Sequence, residues 1–374
     1  MGAIGEQAAL LQREWETDPR WAGITRDYSA RDVIRLRGSV AGEHRLARRG
    51  ASRLWDLLHD RGAAPTLGAV VADHAVQAAG AGLDAVYLPG WQAADGTPAG
   101  GAYPGQPAHP ANLMPHLVHR INDALLSEAA PARPERIGDD IEPGQRLAPV
   151  VADAEAGFGG RQDAFELMTA MIEAGAAGVC FEDLLSPATA RGHAGETVLV
   201  PTGQQIETLN TARLAADVLG VPSLVIARTG AHTASLLASD IDERDHEFLN
   251  GEQTAEGFHR VEPGWYACVT RELAFAPYAD LLWLETPAPD LDVARAFACI
   301  IHSQYPDKLL AYSCRAPFSG WAHQSGASLA KFQQELTAMG YQFQSAIPAG
   351  SPATGASTSE LDDRQTRADA PAYA

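Results

Sequence analysis

The chain has no run of about 18 apolar residues, the length a membrane-spanning helix needs. It is also short of positive charge, with 28 Lys and Arg against 47 Asp and Glu and a formal charge of −19 over 374 residues. That surplus repels phosphate backbones and anionic headgroups, which argues against nucleic-acid and membrane partners. Cysteines are few: Cys180, Cys268, Cys299 and Cys314 stand far apart, with no Cys-x-x-Cys pair and no Cys/His zinc spacing. They are expected to be reduced and to ligate no metal. The stretch Met1 to Trp15 is mixed and charged, unlike a basic-then-apolar secretory signal, so the expected location is cytoplasmic.

What is present is enough apolar material for a large core, 46% of the residues. Short apolar or β-branched runs recur between longer segments of helical spacing, the pattern of repeated βα units around a parallel sheet. Eight runs read as strands: Thr66–Val71, Asp84–Pro89, Leu147–Asp153, Ala177–Glu182, Pro222–Arg228, Ala279–Glu285, Lys308–Ser313 and Tyr341–Ala346. Several are almost continuously apolar, as strands buried on both faces are. Helical spacing marks 162–174, 204–219 and 291–302, whose apolar stripes are core. The fold expected is α/β, a (β/α)8 TIM-type barrel over 64–348 with an insertion at 91–146 carrying one helix, Asn112–Leu126. A charge-rich helical layer over 1–63 precedes it. The segment 349–374 is polar and rich in Pro, Gly and Ser, and is expected to be a disordered tail.

In such a barrel the site lies at the carboxyl ends of the strands, so the polar residues closing each apolar run are the informative ones. Trp91 follows the second run, Asp153 and Glu155 close the third, and Glu182 and Asp183 close the fourth. Arg228 closes the fifth, Glu285 the sixth and Ser313 the seventh. Any one acid could merely cap a loop. Acids at consecutive strand ends repel one another unless a cation neutralises them, and hard oxygen donors suit Mg2+ or Mn2+. Arg228 is open to two readings, a structural ion-pair partner or a bidentate clamp for a substrate carboxylate.

At these residues the sequence resembles the isocitrate lyase family, across roughly Glu14 to Ala346. The similar blocks include Trp21-Ala-Gly-Ile-Thr-Arg-Asp-Tyr-Ser29, Arg35-Leu-Arg-Gly-Ser-Val40, Val151-Ala-Asp-Ala-Glu-Ala-Gly-Phe-Gly-Gly160 and Ser239-Asp-Ile-Asp-Glu-Arg-Asp245. The resemblance implies a Mg2+-dependent (or Mn2+-dependent) carbon–carbon lyase that splits isocitrate into glyoxylate and succinate. It implies that Asp153 is the principal metal carboxylate, with Glu155 and Glu182 acting directly or through water. Tyr87 and Glu285 would be catalytic, Tyr87 near the hydroxyl that loses its proton. Gly90, Trp91, Arg228, Trp283 and Ser313 would bind a small carboxylate substrate. Family members typically form tetramers by exchanging carboxyl-terminal helices. The stretch after Ile347 offers no such helix, so a homo-oligomer, dimer or tetramer, is expected to use the amino-terminal layer and barrel helices.

The sequence departs from the family on the other half of the pocket. The family's mobile Lys-Lys-Cys-Gly-His reads Thr189-Ala190-Arg191-Gly192-His193 here. The thiol that would protonate the succinate carbanion is absent, and an arginine, with a pKa above about 12, does not replace it. The succinate-binding Asn-Cys-Ser-Pro-Ser-Phe-Asn-Trp has become Ser313-Cys-Arg-Ala-Pro-Phe-Ser-Gly-Trp321, and the family's Thr aligns with Ile347. Carboxylates are also lost at Gly105 and Gly230. Arg191 and His193 are candidate catalytic residues, and Gly192 and Arg315 candidate substrate contacts. His193 reads equally as a loop residue, and Cys180, where the family has His, as packing. The leading expectation is a lyase acting on a 2-hydroxy or 2-oxo carboxylate other than isocitrate. A pseudoenzyme that binds a metabolite or a protein, and a hydrolase at the preserved enolate site, are the alternatives.

Overall fold

The computed structural model describes residues 3–38, 42–59, 64–68, 75–76, 84–90, 110–129, 148–154, 161–185, 197–314 and 326–346. Twelve strands occur in them: β1 (Ala64–Gly68), β2 (Ala85–Leu88), β3 (Val150–Asp153), β4 (Gly178–Glu182), β5 (Val198–Leu199), β6 (Leu224–Arg228), β7 (Leu236–Leu237), β8 (Leu249–Gln253), β9 (His259–Val261), β10 (Leu281–Thr286), β11 (Leu309–Cys314) and β12 (Tyr341–Ala346). Eight of them close a parallel barrel in the order β1, β12, β11, β10, β6, β4, β3, β2. Each of the eight expected runs overlaps a barrel strand, so the (β/α)8 barrel expected from the sequence is the fold found.

The apolar runs become barrel strands because each side of the strand meets its own core. Val86, Leu88, Val150, Ala152, Val179, Phe181, Val225, Ala227, Leu282 and Leu284 share a cluster with the surrounding helices. The alternate residues Ala85, Tyr87, Val151, Cys180, Leu224, Ile226, Leu281, Trp283 and Ala311 share a second cluster inside the barrel. Period-two alternation of this kind fixes which side chains face inward.

Helices α1 (Ala3–Thr17), α2 (Ala30–Leu36) and α3 (Arg45–His59) precede the barrel. Ser29 caps α2 in a reciprocal pair with Asp32. On α3 the residues Ala51, Leu54 and Leu58 lie at helical spacing and join the inner cluster with strand-start residues such as Leu281 and Leu309. The helix therefore plugs the amino-terminal mouth. This layer is bolted on by charge: Arg20 Nη1 donates to Asp280 at 2.6 Å, Arg213 binds the other oxygen of Asp280, and Arg26 and Tyr28 each reach Asp217 at 2.7 Å.

The remaining helices are α4 (Pro110–Ala129), α5 (Arg161–Glu173), α6 (Thr202–Leu219), α7 (Trp265–Phe275), α8 (Leu291–Gln304) and α9 (Gly326–Ala338). The expected helices coincide with α4, α5, α6 and α8. A small second sheet, ordered β5, β7, β9, β8, was not anticipated. Two of its strands are only two residues long, too short to show a period. The expected tail, 349–374, lies outside the described residues, and no described helix is long and apolar enough to cross a membrane.

Candidate active site

Strand parity places the site. Tyr87 shares a face with Ala85, Asp153 with Val151, Glu182 with Cys180 and Arg228 with Ile226. On the same inward face, Glu285 follows Trp283 and Ser313 follows Ala311. Register then sets their heights, with Glu182 opposite Arg228, Arg228 opposite Trp283, and Glu285 opposite Ser313.

Arg228 joins the cluster. Its Nη2 donates to Asp153 Oδ2 at 2.7 Å and to Glu182 Oε2 at 2.9 Å, and its Nη1 donates to the Tyr87 hydroxyl at 2.9 Å. Tyr87 in turn donates to Asp153 Oδ2 at 2.9 Å. The aromatic wall is Trp283, with Tyr87 at 4.9 Å between ring centroids and the Arg228 guanidinium at 5.6 Å. Trp283 Nε1 donates to Ser313 Oγ at 2.9 Å, and Ser313 donates onward to Glu285 at 3.4 Å. Gly90 follows β2 and is buried.

Burial dominates the electrostatics. It pushes the Tyr87 phenol well above its ordinary range, so this hydroxyl stays protonated. Glu182 is raised to about 7, first by burial and then by the carboxylates of Glu285, Asp153 and Asp183, against the opposing pull of Arg228. Burial alone would discharge Arg228, but Asp153 and Glu182 outweigh it and hold the guanidinium charged.

Two sequence-based expectations change. The acids at the strand ends were expected to lack a protein counter-charge, and Arg228 supplies one to Asp153 and Glu182. Among the described residues no group of three His, Cys, Asp or Glu side chains is drawn together as a metal cage. Asp183 was placed on the rim with Glu182, but one step along a strand reverses the side chain. Asp183 instead turns into the wall, accepting from Thr229 Oγ1 at 2.6 Å, from the Gly230 amide at 2.8 Å and from Arg271 Nε at 2.7 Å. The expected site residues Trp91, Glu155, Arg191, Gly192, His193 and Arg315 lie outside the described residues.

Sequence reasoning missed the wall behind the site. Arg271 on α7 binds Asp183 and also Asp245 at 2.6 Å, and Asp245 caps α6 through Thr202. The adjacent Glu272 is fully buried. The only signal was a charged pair, Arg271-Glu272, inside the otherwise apolar α7, which reads as a solvated face.

A closed (β/α)8 barrel with an arginine-bridged carboxylate cluster at the carboxyl ends of its strands is the class of molecule this geometry defines. The sequence matches the isocitrate lyase family over residues 8–254 and 250–374. Isocitrate lyase 1 of Mycobacterium tuberculosis (strain Erdman) is 49% identical over 353 residues, covering 94% of this chain and 82% of that one. The isocitrate lyase of Escherichia coli (strain K12) is 51% identical over 356 residues, covering 92% and 80%. The chain belongs to the isocitrate lyase family. More distant solved structures share the fold. A 2,3-dimethylmalate lyase of the PEP mutase/isocitrate lyase superfamily has a TM-score of 0.52 at 18% identity, covering 85% of this chain and 87% of that one. An oxaloacetate acetylhydrolase has a TM-score of 0.51 at 18% identity, covering 85% and 86%.

Proposed function

We propose that the chain is a Mg2+-dependent carbon–carbon lyase for a 2-hydroxy or 2-oxo carboxylate other than isocitrate. The observation that carries this reading is an asymmetry. Tyr87, Asp153, Glu182 and Arg228 form one hydrogen-bonded cluster, while the stretch 189–193 holds Arg191, which the resemblance sets against the family's acid cysteine. The surviving half suits an oxo acid, and the altered half suits a different leaving group.

The donor chemistry, hard carboxylate oxygens, suits a divalent cation, although no three acids among the described residues converge as a cage. Asp153 and Glu182 are inward acids sharing one arginine, with Glu285 near Glu182; burial pushes Glu182 up to about 7, and the neighbouring carboxylates add a repulsion that a cation would relieve. Asp153 would hold it, with Glu155 and Glu182 beside it. Once bound, Mg2+ would stabilise negative charge developing on the substrate's oxygens.

The chain's own groups do the rest. Arg228, already turned toward Asp153 and Tyr87, clamps the substrate carboxylate. Tyr87, kept protonated by burial, donates a hydrogen bond toward the substrate hydroxyl. Trp283 and Ser313 shape the wall, and Glu285, in reach of Ser313, is the candidate base. The family resemblance assigns Arg191, Gly192, His193 and Arg315 to the distal part of the substrate, and the two arginines favour a leaving group carrying extra negative charge. The assembly is a homo-oligomer, a dimer or tetramer.

The test is substrate profiling by NMR with Mg2+ over a panel of 2-hydroxy and 2-oxo diacids. Cleavage of one of them supports the lyase. A second reading, a binding protein without turnover, is favoured by the missing thiol and the carboxylates lost at Gly105 and Gly230. Metal-dependent thermal stabilisation by a panel member that yields no product would select it.

A further inference from the structure

Glu272 lies on α7 with no solvent exposure, and neither of its carboxyl oxygens has a hydrogen-bond partner among the described residues. Close by, Arg228 has the complementary defect. Its two Nη groups face Tyr87, Asp153 and Glu182, while its buried Nε has no partner. A buried unpartnered carboxyl costs stability, and an apolar side chain of similar size at the same place would not. The groups around Glu272 are Asp183 from the end of β4, Arg271 from α7 and Arg228 from the end of β6, with the thiols of Cys180 and Cys268 nearby. The Thr229 amide is near enough to favour the charged form slightly, without hydrogen-bond geometry. Burial, followed by Asp183, raises the Glu272 carboxyl well above its usual range.

We propose that Glu272 is a positioning residue that acts on the site through Arg228, as the inner counter-group for the guanidinium when a divalent cation takes up the acids in front of it. This rests on the reading that Asp153 and Glu182 serve such a cation. In the chain as it stands, those acids balance Arg228. A cation that draws on their lone pairs also adds positive charge beside a buried guanidinium, and another negative charge in the same layer offsets it. Glu272 is suited to this because it can ionise without breaking any hydrogen bond. The balance is simple: on binding of the cation one proton would leave Glu272 for solvent, and its carboxylate would add a negative charge that offsets the Arg228 guanidinium.

The experiment is calorimetric titration of the full chain and of E272Q with Mg2+ alone, near neutral pH, in two buffers of different ionisation heat. The unmodified chain should release about one proton more per Mg2+ than E272Q, and E272Q should bind Mg2+ roughly tenfold more weakly. Equal proton release and equal affinity overturn the role of Glu272 and leave the cation reading standing. An unmodified chain that binds no Mg2+ overturns both. Two further measurements guard against misfolding of E272Q. E272L should melt at a higher temperature than the unmodified chain without metal, whereas a purely structural acid predicts a lower one. The infrared spectrum of the unmodified chain should lose a protonated-carboxyl band when Mg2+ is added, and its persistence overturns the proposal.

Discussion

Asp153 accepts from both Arg228 and Tyr87 through the same oxygen, Oδ2. On the proposed metal role of Asp153, its replacement by alanine should abolish Mg2+ binding measured by calorimetry, and identical binding by D153A would remove Asp153 from the proposed site. The proposed replacement of the family's acid cysteine by Arg191 makes a second prediction at this scale. A well-placed proton donor contributes about 10²–10⁴-fold to a rate, so glyoxylate release from isocitrate should be slower than in ordinary isocitrate lyases by about that factor. A normal rate would show that Arg191 is no obstacle. The inward residues were legible because a strand's parity is written in its sequence: Val151 and Asp153, or Cys180 and Glu182, stand two apart and share a face. Asp183 was misplaced because charge alone, without parity, put it on the rim. Glu272 was illegible because nothing local distinguishes a buried acid in a helix from an exposed one.

At the scale of elements, Arg271 ties α7 to β4 and to the cap of α6. Its Nε meets Asp183 at 2.7 Å, its Nη1 meets Asp245 at 2.6 Å, and all three side chains are almost wholly buried. R271A leaves two buried carboxylates uncompensated and should cost about 3–5 kcal/mol in a urea melt. A loss under about 1 kcal/mol would mean that the network is replaceable. Lys308, just before β11, makes a different prediction. Its Nζ donates to the carbonyls of Ala276 and Ala279 at 2.7 Å each, and burial lowers its pKa from 10.5 to about 8, although Asp280 opposes the shift. Between those two values the unfolded chain binds the proton that the folded chain lacks, so this group makes stability rise with pH from about 8 to 10.5. The difference in melting temperature between the unmodified chain and K308M should grow in the chain's favour across that window, and a flat difference would contradict the shift. The barrel strands and four of the helices were readable from periodicity. The side sheet was not, since β5 and β7 owe their pairing to neighbours far along the chain.

For the whole molecule, residues 351–374 include only Leu361 and Tyr373 as large apolar side chains, too little to build an interface. Light scattering on a protein cut after Gly350 should give the same mass per particle as the full chain, allowing for the lost residues. Collapse to monomers would make the tail an assembly element. The pairing of β1 with β12, residue by residue from Ala64 opposite Phe343 to Leu67 opposite Ala346, reaches into how the protein is made. The first strand to leave the ribosome finds one of its two neighbours only when the last strand has been translated. Until then the nascent chain carries an open sheet with unpaired edges at both ends, and its growing inner face lacks Phe343, which packs against Trp283 at 5.3 Å. Closure of this fold thus waits on its last strand, and chaperone dependence should fall sharply only once β12 has emerged from the ribosome.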